Sequence, residues 1–155
     1  MKKKLWTILI LAIVGIAVSG YAVHLHYSVE PSTFCNFGGA FNCDVVNKSW
    51  ASEIAGIPVA IIGLVGYVLL ALGSAWLLFT QKLRALTWGA MALASLGGLA
   101  FALFLTGVEI FSLHAYCIVC LASQILILTI TILVWRTPEA RQGLRGWFFS
   151  AEHAQ

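Results

Sequence analysis

The chain alternates between long apolar runs and short polar segments. Asp, Glu, Lys and Arg are absent from four runs: 5–23, 57–80, 85–108 and 110–135. A helix needs roughly 20 residues to cross the ~30 Å hydrocarbon core of a bilayer, and backbone groups within lipid must pair inside their own segment. The pattern therefore predicts four transmembrane helices, an outer loop at 24–56 and a tail at 136–155, in which Pro138 marks a helix stop.

The composition agrees with this prediction. The 155 residues are 61% hydrophobic and 10% charged, whereas soluble domains carry roughly 25% charged residues. The net charge of +3 lies in short runs between apolar segments rather than on one face, so we expect no nucleic-acid partner. The predicted fold class is an all-α membrane protein, a four-helix bundle in a single domain over 1–155.

The basic residues predict the orientation of the chain. Eight of the nine flank the apolar runs on one side if the N-terminus is cytoplasmic: Lys2, Lys3, Lys4, Lys82, Arg84, Arg136, Arg141 and Arg145. Such a bias places both termini in the cytoplasm of a multi-pass protein of the inner (plasma) membrane. The first apolar run is longer than the 7–15 residues of a signal-peptide core, so we expect an uncleaved helix.

Four cysteines form two sets of different spacing. Cys35 and Cys43 bracket "CNFGGAFNC" in the outer loop, and Cys117 and Cys120 bracket "CIVC" in the fourth apolar run. Cys117 precedes Arg136 by 19 residues, about 28 Å of helix, which brings it to the outer boundary. All four thiols are therefore expected at the extracytoplasmic face, where disulfides persist, and the even count indicates two pairs.

These pairs have several possible roles. Two cysteines three apart at a helix start suit reversible dithiol chemistry, because the helix dipole favours a thiolate and one sulfur can resolve what the other attacks. A membrane cysteine can also be a small apolar filler, and a loop pair can be a structural disulfide. A four-cysteine zinc site is a further alternative; the wide spacing of the loop pair fits it poorly, and we expect no metal.

The combined motifs resemble the vitamin K epoxide reductase family over nearly all of 5–135. They are the loop cysteines, "CDVVNKS" with Ser49 six positions after Cys43, "EIAGIPVAIIGLVGY" at the second helix, and "CIVC" in the fourth. The DsbB family also combines four helices with two cysteine pairs, but there the membrane-edge pair comes first. In this chain the loop pair comes first, so the chain resembles the vitamin K epoxide reductase family.

The resemblance implies a four-helix bundle around a quinone, ubiquinone or menaquinone, with the outer loop as its cap. Bacterial members resembling this chain oxidise a thioredoxin-fold partner of the DsbA kind. We expect no fused thioredoxin-like domain after residue 135, so the expected partner is a separate soluble protein. Reduction of vitamin K epoxide by the same cysteines is the alternative activity.

Residue roles also follow from the resemblance. Cys35 and Cys43 accept electrons from the partner, Cys43 attacks Cys117, and Cys120 is left as the thiolate next to the quinone. Ser49 donates a hydrogen bond to a quinone carbonyl; its alternative is a helix cap or turn hydroxyl. Gln124, one turn below Cys120, is a second candidate for quinone contact, although animal members have a tyrosine at that step.

Overall fold

The computed structural model describes residues 2–29, 35–38, 41–80 and 84–152. Within them the helices are α1 (Lys2–Tyr27), α2 (Cys43–Asn47), α3 (Val59–Phe79), α4 (Arg84–Val108), α5 (Ile118–Trp135) and α6 (Pro138–Glu152). Four are long and apolar enough to cross a membrane: α1, α3, α5 and α4, the last continued by a π turn at Glu109–Leu113. The predicted fold class, an all-α membrane bundle, is confirmed.

Two short hairpins shape the segment between α1 and α3. Strand β1 (Asn36–Gly38) pairs antiparallel with β2 (Phe41–Asn42), and β3 (Glu53–Ile54) with β4 (Ile57–Pro58). The second hairpin turns through Ala55 and Gly56, both at positive φ (52° and 79°), as tight hairpin turns require. A 3₁₀ turn at Trp50–Ser52 joins α2 to this hairpin.

Small residues determine which face of α1 packs against its neighbours. The helix is apolar all round, and its buried positions recur every three or four residues: Leu5, Ile8, Ala12, Gly15, Ser19, Ala22 and Leu25. Gly15 lies against the ring of Tyr67 on α3, where a Cβ would overlap the ring. Such close approach is how membrane helices gain packing energy, because lipid provides no hydrophobic drive for their association.

The predicted helix at 110–135 begins later than expected. Residues Glu109–Leu113 belong to the end of the preceding helix as its π turn, His114 adopts a left-handed conformation (φ 50°), and Cys117 is extended as the N-cap of α5. The sequence prediction was wrong for 110–117 because these residues are as apolar as a helix interior. The backbone of Tyr116 instead pairs with the loop, a contact described below.

The tail is more ordered than its sequence suggested. Helix α5 ends at Trp135, as the proline predicted, but Pro138 is also the first residue of α6, a position where its missing N–H costs nothing. Gly143 on α6 packs directly on Gly89 of α4, and a Cβ at Gly143 would overlap backbone. The side of the membrane on which this helix lies stays a prediction.

Two hydrophobic clusters divide the molecule. The first, here called the helix core, includes Leu5, Ile8, Tyr67, Leu70, Leu77, Trp88, Met91, Ile127, Ile130, Val134 and Leu144. The second, here called the loop core, consists of Ala22, Leu25, Cys35, Cys43, Val46, Ala115, Cys117 and Val119. Three of the four cysteines therefore lie in the loop core.

Candidate functional site

The loop cysteines are joined to each other. Cys35 and Cys43 form a disulfide with a Cα–Cα distance of 5.6 Å, within the usual range. Both are buried, at 1% and 0% exposure. Cys43 is the first residue of α2, whose N-cap is Asn42; the Asn42 side chain accepts a hydrogen bond from Val45 N at 3.1 Å.

The loop is attached to the segment that precedes α5. Phe41 and Tyr116 form a parallel β-bridge, and the N–H of Asn42 donates to the Tyr116 carbonyl at 3.1 Å. The rings of Phe41 and Tyr116 lie 5.9 Å apart between centroids. These contacts fix Cys43 beside Cys117, each one residue beyond a bonded partner.

The two cysteine pairs meet at this junction. The sulfurs of Cys35, Cys43 and Cys117 all lie within 4.8 Å of one another. Cys117 and Cys120 are free thiols, the first buried and the second partly exposed. One thiol of the helix pair is therefore close enough to a disulfide of the loop for exchange after a small movement, since exchange proceeds by attack of a thiolate on a disulfide sulfur.

Hydrogen-bond donors surround the Cys117 sulfur. It accepts from the Cys120 backbone N–H at 3.3 Å and from Asn47 Nδ2 at 3.6 Å. The hydrogen bond from the Cys120 side chain, together with the Cys120 backbone N–H, lowers the pKa of Cys117, against the opposing effects of burial and the charge of Glu109. The two donors, the Cys120 N–H and the Asn47 amide, favour a thiolate at Cys117.

A cavity of about 190 Å³ opens beside the helix pair. One water needs only ~10–15 Å³ by this measure, so the cavity admits a ring-sized organic group. Its walls come from the four long helices and the loop and are mainly apolar, while Ser49, Asn47, Glu109 and Cys120 supply polar atoms near the cysteines. An apolar cavity with a few hydroxyl and thiol groups suits the ring of a quinone.

The two residues predicted to contact a quinone differ in their placement. Ser49 lines the cavity, and its hydroxyl donates to the Val46 carbonyl at 2.8 Å, so the turn-hydroxyl role is also present. Gln124 is not among the described residues that line the cavity; its Oε1 accepts from Thr106 Oγ1 at 2.7 Å. Thr106 does line the cavity, which leaves Gln124 behind it. Both quinone contacts stay predictions.

Sequence reasoning missed two polar residues of the site, Asn47 and Glu109. The Asn47 amide bridges the Cys43 carbonyl (3.0 Å) and the Cys117 sulfur (3.6 Å). Glu109 is 3% exposed, and its Oε2 accepts from the Cys117 N–H at 3.4 Å. A signal for the latter existed, because Glu109 is the one charged residue between 85 and 135, and an ionisable residue within membrane segments usually has a function.

The zinc alternative finds little support in this arrangement. Three sulfurs approach one another closely, but two of them, Cys35 and Cys43, are bonded to each other. Zinc needs thiolate ligands, which a disulfide does not provide. The fourth cysteine, Cys120, is not part of that group and lines the cavity instead.

The fold and the site together define a multi-pass membrane oxidoreductase, with a disulfide and a dithiol in contact beside an apolar cavity. A family model, described as the vitamin K epoxide reductase family, matches residues 6–135. The chain belongs to this family, whose members generally use quinones. No curated protein matches the chain.

Proposed function

We propose that the protein oxidises a soluble thioredoxin-fold partner of the DsbA kind and passes the electron pair to a membrane quinone, ubiquinone or menaquinone. The observation that carries this proposal is the grouping of the Cys35, Cys43 and Cys117 sulfurs within 4.8 Å of one another. Cys120, the second cysteine of the helix pair, lines the cavity. A soluble protein reaches only the loop, and a lipid-soluble acceptor reaches only the bundle. Two dithiols in contact connect the two.

The first step takes place at the loop pair. A partner thiolate attacks Cys35, Cys43 leaves as a thiolate, and the second partner thiol then releases the oxidised partner. We assign Cys35 to the partner because the hydrogen bond between Asn42 and Tyr116 holds the neighbouring Cys43 beside Cys117. Since Cys35 is 1% exposed, the loop must move away from the bundle to admit the partner, and the Phe41–Tyr116 bridge must open or bend.

The second step takes place between the pairs. In the state with an oxidised helix pair, the Cys43 thiolate attacks Cys117 and breaks its bond to Cys120. Cys35 then attacks Cys43, which restores the loop disulfide and leaves Cys117 and Cys120 reduced. The arrangement described above, a loop disulfide beside two free thiols, corresponds to the product of this step.

The third step returns the helix pair to a disulfide. A quinone accepts two electrons and two protons, and the protein contributes the groups around it. Cys120 would provide the sulfur at the cavity. The Ser49 hydroxyl, which donates to the Val46 carbonyl in this structure, would turn to donate to a quinone oxygen and stabilise the charge that develops there. Gln124 would act indirectly: its side chain accepts a 2.7 Å hydrogen bond from Thr106 and so orients this residue of the cavity wall.

The basic residues support the orientation that this function needs. With the N-terminus in the cytoplasm of a cell bounded by an inner (plasma) membrane, the cysteines face an oxidising compartment. After reduction, an impermeant maleimide added to whole cells should label Cys35 and Cys43 but not a cysteine introduced at Lys82. The opposite pattern would place the loop in the reducing cytosol and remove the basis for an oxidase.

Purified protein mixed with a reduced DsbA-like protein tests the activity. We expect rapid multiple-turnover oxidation of the partner with added quinone, and oxidation of no more than two equivalents without it, one for each disulfide of the fully oxidised protein. Quinone-independent multiple turnover would refute the quinone as acceptor. Release of electrons to vitamin K epoxide, with the partner as reductant and no quinone reduction, would support the alternative reductase activity.

A further inference from the structure

Glu109 is a buried carboxyl group that the steps above do not use. It lies in the π turn between α4 and α5, is 3% exposed, and lines the cavity together with Cys120. It is the only carboxylate among the described residues of the cavity wall. Placing an ionisable side chain at such depth costs free energy, and membrane proteins retain such residues mainly where protons or ions move.

Glu109 lies near both cysteines of the helix pair. Its Oε2 accepts from the Cys117 backbone N–H at 3.4 Å, and its side chain lines the same cavity as Cys120. The ion pairs found among the described residues, His26–Glu53 and Lys48–Asp44, do not include it. Its environment therefore consists of thiols and cavity rather than a neutralising cation.

Other titratable groups of the cavity wall are already engaged. Both ring nitrogens of His26 have partners, the Asn47 carbonyl at 2.6 Å and Glu53 Oε1 at 3.1 Å. The Tyr67 hydroxyl donates to the Ser123 carbonyl at 2.7 Å. In the hydrogen bonds described, neither residue contacts a cysteine of the helix pair, whereas Glu109 is bonded to Cys117. Glu109 is therefore the group of the cavity wall best placed to exchange a proton with the pair.

We propose that Glu109 is the proton carrier of the helix pair: its carboxylate takes the proton of the Cys120 thiol during oxidation and releases it to the electron acceptor in the cavity. The inference rests on the proposed function, in which that acceptor is a quinone. Because Glu109 would take a proton directly from a reacting thiol, this role makes it a catalytic residue.

The protons and electrons balance. Forming the Cys117–Cys120 bond from two thiols releases two electrons and two protons, and reduction of a quinone to a hydroquinone consumes both. The proton of Cys120 passes through Glu109. Cys117 is 0% exposed while the loop is closed, so it loses its proton to water when the loop moves away. Water on the same side supplies the second proton that the quinone takes up. Glu109 is a carboxylate again after each turnover.

Two substitutions separate proton transfer from structure. Glu109→Gln keeps the size and the hydrogen-bond acceptor but cannot carry a proton, whereas Glu109→Asp keeps the carboxyl group. Glu53→Gln is the matched control, because Glu53 is a carboxyl group at the same end of the molecule that does not line the cavity. General acid–base groups contribute typically 10²–10⁴-fold to rates, and we expect Glu109→Gln to slow quinone reduction by about that factor.

The rate measurement uses the pre-reduced protein in detergent, mixed rapidly with a soluble quinone. Glu109→Asp should recover part of the lost rate, Glu53→Gln should equal the wild type, and exchange between loop and helix pair should be retained in all three. A wild-type quinone rate in Glu109→Gln overturns the inference. Failure of the wild type itself to reduce quinone refutes the proposed function instead.

A second measurement needs no quinone. When the helix pair is oxidised through the loop pair with no acceptor in the cavity, the proton that Glu109 takes from Cys120 is not passed on and stays on its carboxyl group. Infrared difference spectra between the reduced and the oxidised helix pair should contain a carboxylic-acid C=O band that shifts in D₂O, moves in Glu109→Asp, vanishes in Glu109→Gln and stays in Glu53→Gln. Absence of the band from the wild-type spectrum, or its persistence in Glu109→Gln, overturns the inference. If Glu109→Gln fails to fold, the wild-type and Glu109→Asp spectra still decide the question.

Discussion

The helix core and the loop core differ in the kinds of side chain that they contain and in their roles. The helix core contains large side chains such as Trp88, Leu70 and Ile130, each at 2% exposure or less. The loop core is smaller and replaces such side chains with Cys35, Cys43 and Cys117. Its packing therefore consists in part of sulfur atoms whose bonds are exchanged during the reaction.

This difference separates stability from chemistry. The helix core holds the four long helices together and can stay unchanged through a catalytic cycle. The loop core is fixed by a few directional contacts, such as the Asn42–Tyr116 hydrogen bond and the Asn47 bridge, which can open and re-form. Residues of both cores line the cavity. A bound ligand therefore contacts the helix core, which stays unchanged, and the loop core, whose contacts can open and re-form.

The largest effect in this comparison is expected for the quinone-reducing step, at a residue of the loop that lines the cavity. Ser49→Ala should slow the quinone-reducing step by about 10²-fold, the low end of the 10²–10³ range for loss of one preorganised donor, because Asn47 and Cys120 remain nearby. Partner–loop exchange should be unaffected. Stopped-flow rates of the two half-reactions measure both effects. Ser49→Thr keeps the hydroxyl and should restore the rate of the quinone-reducing step. The control is Thr129→Ala, which removes an exposed hydroxyl on α5 and should not alter that rate. If Ser49→Ala also leaves the rate unchanged, Ser49 serves only as a turn hydroxyl.

The next effect concerns the helix core alone. Trp88→Ala should destabilise the bundle by about 2 kcal/mol, below the ~3–5 kcal/mol typical of soluble cores, because lipid is as apolar as the core and only packing is lost. Thermal unfolding in detergent measures the loss, with lipid-facing Trp76→Ala (52% exposed) as control. The folded fraction should keep its exchange rates. Slower thiol exchange in folded Trp88→Ala protein would contradict the separation of the two cores.

The smallest effect falls on the loop core. Asn42→Ala removes the cap of α2, which should cost about 1 kcal/mol and slow exchange between Cys43 and Cys117 modestly, since Cys43 is the first residue of that helix. Asn42→Asp keeps the acceptor and should behave as the wild type. Unfolding midpoints and the rate of disulfide exchange are the readouts. Equal stability of the alanine and aspartate variants would mean that the cap contributes nothing here.

The difference between the helix core and the loop core also explains which features the sequence could predict. Long apolar runs specify membrane helices because lipid leaves a chain few alternatives, and three of the four spans were located to within about four residues at each end, a usual uncertainty for helix boundaries. Positions such as Gly15 and Gly143, which set how close the helices come, show no polarity difference, so the packing could not be derived from the pattern.

The loop core could be predicted only in its chemistry. Cysteine spacing and the family resemblance identified the four thiols, but the break between α4 and α5 arises from tertiary contacts of Phe41 and Asn42 with Tyr116, which apolar residues at 110–117 do not reveal. Glu109 was treated as a boundary between two spans. The position of Gln124 behind Thr106 depends on helix rotation, which sequence spacing alone leaves open.

The central claim is that electrons pass from Cys43 to Cys117 and leave by Cys120. Mass spectrometry of alkylated, non-reduced peptides from two variants tests it most directly. Cys120→Ser should accumulate a Cys43–Cys117 disulfide, because Cys117 can attack the loop disulfide within 4.8 Å and Cys120 is no longer there to resolve the product. Alkylation of the released Cys35 thiol prevents the reverse reaction. Cys117→Ser should form no disulfide between the loop and α5. A Cys43–Cys120 disulfide in Cys117→Ser, with none between loop and helix in Cys120→Ser, would contradict the proposed order of transfer.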